Sequence, residues 1–123
     1  MATIMAAMSG VVTPLQVAAT TGGGTILACP PSFRNHNILV RTPTGVTAGA
    51  VTVETSNDPN DAGTWAAIIP IGTVSNPLTV VASSDLLINY SGIINFIRAR
   101  ISTTISGGGA PSVSVDYLGA KSY

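Results

Sequence analysis

A chain of 123 residues is long enough for one domain with one modest hydrophobic core. Only 8% of its residues are charged, five basic against five acidic, where an ordinary soluble domain carries about 25%. That balance excludes a basic stripe for nucleic acid or acidic lipid, and a single cysteine excludes an intrachain disulfide.

Residues 1–33 contain no charged side chain. Met1–Met8 is apolar but lacks the positive start of a signal peptide, and Ser9, Gly10, Thr13 and Pro14 interrupt the apolar run. No stretch reaches the roughly 18 apolar residues of a membrane span, so the chain is expected to be made in the cytoplasm and left unprocessed. Pro14 opposes a long helix. The expectation is a short helical turn at Met1–Met8, an extended piece at Val11–Ala19 and a flexible break at Thr20–Gly24. Together these make an extended N-terminal arm, residues 1–24, ahead of a domain at 25–123. An uncharged arm carrying Met5, Met8, Val11, Leu15 and Val17 should lie on a neighbouring chain or on its own sheet, unless it is simply a first strand.

Short β-prone runs rich in Val, Ile and Thr follow: Thr25–Ala28, Asn37–Thr42, Ala50–Ser56, Thr64–Pro70, Pro77–Ala82, Leu86–Tyr90, Ile93–Ile105 and Pro111–Leu118. Several alternate with period two. Val51, Val53 and Thr55 oppose Thr52 and Glu54; Ile97, Ala99 and Ile101 oppose Phe96, Arg98 and Arg100; Val113, Val115 and Tyr117 oppose Ser112, Ser114 and Asp116. Pro43–Gly49, Asn57–Gly63 and Ser106–Pro111 are turn segments, the last predicted to close a hairpin between the two final strands. The pattern predicts an all-β chain forming a single β-sandwich, jelly-roll or immunoglobulin-like, with strand order left open.

Chemistry is scarce. His36, the only histidine, lies between two asparagines at the start of a strand, seven residues from Cys29, with nothing to orient its ring; a loop histidine is expected rather than a catalytic base. Asp58 and Asp61 share one polar loop and are expected to cap its turns. Asp58, Asn60 and Gly63 match part of a calcium-loop spacing, but Ala62 and Ile69 stand where oxygen ligands belong, so no metal and no cofactor is expected. The triplets Gly22–Gly24 and Gly107–Gly109 lack the lysine of a phosphate cradle and are expected to act as hinges. Trp65 is expected to anchor the core, with sugar stacking as its rarer use. Phe96, Arg98 and Arg100 share one strand face; the arginines pair either with carboxylates of a partner chain or internally with Glu54 or Asp116.

Several of these stretches resemble a known group. Val51–Ser56, the turn Asn57–Gly63 and the pair Thr64-Trp65 are similar to a recurring stretch in small virion proteins of tailed bacteriophages. There a strand ends in a Ser-Asn-Asp or Ser-Leu-Asp type turn and Thr-Trp opens the next strand. Phe96–Ile101, Gly107–Gly109 and Ser112–Val115 resemble the closing strands of the same proteins, so the likeness covers about residues 50–119; the first 35 residues find no counterpart. The resemblance implies a non-enzymatic virion component, best described as a capsid decoration or cement protein on the outer head surface. Such proteins often form homotrimers and brace the major capsid protein. Expected partners are therefore the capsid lattice and copies of the chain itself, with no nucleic acid, membrane or small-molecule substrate. Interface candidates are Met5, Met8, Val11, Leu15, Val17, Phe96, Arg98 and Arg100. Alternatives are a tail, neck or head-fibre component, or a carbohydrate- or receptor-binding sandwich.

Overall fold

Alternating apolar and polar residues bury one side of a strand and leave the other to solvent or to a second layer. The computed structural model follows that rule, and describes residues 4–43, 45–57, 65–67, 78–79, 85–109 and 111–121. The described residues contain strands and no helix: β1 (Ile4–Ala6), β2 (Thr13–Ala19), β3 (Ile26–Ala28), β4 (Phe33–Arg41), β5 (Val46–Ser56), β6 (Ala66–Ala67), β7 (Leu78–Thr79), β8 (Leu86–Ser91), β9 (Phe96–Gly107) and β10 (Val113–Lys121).

They form a β-sandwich. One sheet has six strands in the order β1-β3-β9-β5-β6, with β7 also on β5; the other has four, in the order β2-β10-β4-β8. All pairings are antiparallel except β1 on β3. From β2 to β5, and again from β8 to β10, each successive strand lies in the opposite sheet. This winding is that of a jelly roll. An immunoglobulin-like sandwich instead pairs consecutive strands within a sheet.

The expected hairpin at Ser106–Pro111 is thereby corrected. β9 and β10 belong to different sheets, and the turn carries the chain across the sandwich. Its glycines hold the chain close to β5 first. Gly108 N–H donates to Gly45 O at 3.0 Å, and a Cβ on Gly107, at φ 154°, would sit 2.0 Å from that same oxygen. Only glycine fits there.

The core lies between the sheets. Ile38, Val40, Ile88, Val113, Val115 and Tyr117 face it from the four-stranded sheet; Leu27, Val51, Val53, Ile97, Ala99 and Ile101 face it from the other. Strand β5 is buried on its outer face too, at Thr52, Glu54 and Ser56.

Residues 4–24 belong to this body. Of the helical turn expected at Met1–Met8, residues 1–3 lie outside the described residues, and Ile4–Ala6 instead form β1, which pairs in parallel with β3 and so gives its backbone groups partners. β2 is an edge strand on β10. Leu15 is 1% exposed in the core and Gln16 is 5% exposed. The Gln16 side-chain amide donates to Gly22 O at 3.1 Å and to Ala99 O at 2.8 Å. Those bonds fill a gap on the edge of β9, between its pairing with β3 at Ile97 and its bridge to Gly22 at Ile101. Without the amide, the buried Ala99 carbonyl would lack this partner, a penalty of about 1–3 kcal/mol. The expected hinge at Gly22–Gly24 is instead a close crossing: a Cβ on Gly24 would lie 2.3 Å from Leu15 O.

Candidate interaction surface

The outer face of the four-stranded sheet carries the apolar residues that alternation would normally make polar. Leu39 on β4, Leu87 on β8 and Leu118 on β10 meet Val12 in a shallow groove of about 260 Å³, with Asn37 and Asp116 among its lining. Val12 is 57% and Leu87 50% exposed. A wider polar cleft of about 330 Å³ lies by Arg41, Thr42, Asp85, Ser112 and Ser114. Arg41 is engaged there by Asp116 at 2.6 Å.

The N-terminal interface candidates divide. Met5, Met8, Val11 and Val17 are exposed, Val17 most at 72%, and present bare apolar surface. Leu15 is corrected: the strand alternation turns it into the core, so it cannot reach another chain.

Phe96, Arg98 and Arg100 share the outer face of β9, each half-buried. The structure places both arginines on Glu54 of β5, the internal pairing rather than a partner's carboxylate. Arg98 Nε donates to Glu54 Oε1 at 2.9 Å; Arg100 donates through Nε to Oε1 at 3.1 Å and through Nη2 to Oε2 at 3.3 Å. Cross-strand register sets this up, because Glu54 stands directly opposite Arg98. The Arg98 guanidinium also covers the Trp65 ring, 4.2 Å from its centroid, so that ring face is occupied by a cation. Trp65 is half-buried and lies outside the core cluster between the sheets.

His36 is also corrected. It is 1% exposed and points inward from β4, not into a loop. Its Nε2–H donates to Gly92 O at 2.9 Å, which leaves Nδ1 to accept from the Tyr117 hydroxyl at 2.5 Å. That hydroxyl in turn accepts from the Cys29 thiol at 3.5 Å. Burial pushes the His36 pKa down and the Cys29 and Tyr117 values up, so all three are held neutral. A buried relay of neutral groups with its partners satisfied ties β4, β10 and the two flanking turns together. It offers no exposed nucleophile. In the sequence Tyr117 is only one of three residues on the apolar side of an alternating strand. Its link to His36 joins residues 81 apart in the chain, which no local pattern reveals.

Asp58, Asn60, Asp61 and Gly63 lie outside the described residues. Among the described residues no three His, Cys, Asp or Glu side chains gather as a metal site would require. No protein-family model, no curated protein and no solved structure matches this chain.

Proposed function

We propose that this chain is a structural virion protein that decorates the outside of a bacteriophage head, binding the lattice of the major capsid protein and copies of itself. It acts by contact, not by catalysis.

The observation that carries the reading is the character of the exterior. Met5, Met8, Val11, Val12, Val17, Leu87 and Ile93 are all at least 44% exposed. Meanwhile Glu54, Arg98, Arg100, Arg41 and Asp116 are occupied by one another. A surface of apolar and neutral polar groups loses little hydration when another chain covers it, and Val12 and Leu87 share one apolar groove that suits such a contact. The likeness to small phage virion proteins over residues 50–119 supplies the place. The jelly-roll winding is used by capsid proteins and lectins alike, and supports the reading by analogy only. Modest contacts repeated by lattice symmetry would then resist opening of the head.

Co-sedimentation with heads that lack the chain tests this. Binding should survive a rise from low to high salt, because contacts between neutral surfaces are not screened. No binding, or release by salt, would count against the reading.

A further inference from the structure

The edges of the two sheets are not equally protected. A free strand edge offers unpaired N–H and C=O groups to any other chain, and proteins blunt such edges with prolines, bulges, charges or very short strands. β2 carries Pro14, two register shifts against β10 and a positive φ of 45° at Ala18. β1 spans three residues, and β6 and β7 two each. β8 has none of the other devices. It pairs with β4 through six consecutive residues without a register shift, and among the described residues it has no neighbour on its other side. Residues 86–93 (Leu-Leu-Ile-Asn-Tyr-Ser-Gly-Ile) carry no charge and no proline. Leu87 and Ile93 are 50% and 55% exposed.

The charges at the two ends of this edge say what fits it. Asp85 stands just before β8. Arg34 stands beside its far end, where Arg34 O accepts from Gly92 N–H at 3.0 Å. Both side chains are exposed, and neither makes an ion pair among the described residues. An antiparallel copy of the same edge brings the start of one β8 alongside the end of the other. Asp85 of each copy then approaches the Arg34 end of its mate, twice by symmetry.

We propose that β8 pairs with β8 of a second copy of this chain about a twofold axis, joining the two four-stranded sheets into one. With the axis through Ile88, Leu86 faces Tyr90 and Leu87 faces Asn89 of the other copy, so no like charges meet. The contact is isologous and closes at two chains. It also brings the two apolar grooves together, since Leu87 belongs to both the edge and the groove. The pairing does not depend on the capsid reading, because it is measured on the free chain.

Light scattering across a concentration series reads it directly. The expected mass is twice the 12.4 kDa of one chain. Leu87→Lys places like charges diagonally across the pair on an exposed position, and should return the mass to one chain while the circular dichroism and melting curve stay native. Arg34→Glu should weaken association about 2- to 10-fold, two exposed ion pairs being lost. The swap Arg34→Glu with Asp85→Arg should restore it. A single-chain mass for the unaltered protein, a dimer that survives Leu87→Lys, or a mass of three chains would overturn the proposal. Failure of head binding with the dimer intact would instead touch only the capsid reading.

Discussion

His36 shows how a residue's role is decided by partners far along the chain. Its neighbours Asn35 and Asn37 are exposed, and that polar context reads as a loop. Strand alternation instead turns its ring inward, where Tyr117 and Gly92 complete its hydrogen bonds. The neutral form is the one that fits, so burial lowers the folded pKa below the unfolded value of about 6.5. The sign follows. This contribution to stability is complete above about pH 6.5 and is lost as pH falls through the folded value. Melting temperature measured between pH 7.5 and 5 should therefore decline, and His36→Gln should flatten that part of the profile. An identical slope in both proteins would show that the ring does not carry the effect. The arginines teach the opposite lesson. Arg98, Arg100 and Glu54 were legible as a potential internal pairing because they fall on outward faces of strands that could be neighbours. Only the register of β5 on β9 made the choice.

At the scale of elements, the strands with strong alternation were legible and their partners were not. Val113, Val115 and Tyr117 announce β10. Nothing local says that it pairs with β2 and β4 rather than with β9, because a glycine turn serves a hairpin and a crossing equally well. For a related reason the N-terminal segment stays open in the sequence between an arm and a first strand. Its low charge and Thr-Gly break suggest an arm, yet β1 and β2 each add a strand to a sheet. Truncation separates the two. Removing residues 1–10 takes away β1, Met5 and Met8, and should leave a cooperative melt at lower temperature. Removing residues 1–24 also takes away Leu15 and Gln16. Losing a buried leucine costs about 2–5 kcal/mol and stranding the Ala99 carbonyl about 1–3 kcal/mol, against a total stability of about 5–15 kcal/mol. The longer truncation should lose its cooperative transition by circular dichroism. A native-like melt of residues 25–123 would show that the segment is a dispensable arm after all.

For the whole molecule, composition carried the most weight. Charge is scarce throughout, and in the structure much of what exists is spent on internal pairs. Among the described residues, the apolar side chains left outside lie mainly on the outer face of the four-stranded sheet and on the N-terminal segment, where alternation within a single strand does not predict them. Leu39, Leu87 and Leu118 lie on three strands that are distant in sequence and adjacent only after folding. Their grouping was therefore hidden, whereas the scarcity of charge from which we propose a covered surface is plain in the sequence. The most direct test of the proposal that other chains cover this surface is a reconstruction of phage particles purified from cells that make the chain during infection. The expected result is a β-sandwich at symmetric positions on the outside of the head, seated on the capsid lattice through apolar and neutral surface. A bare head, with the chain on the tail axis or absent from the particle, would contradict it.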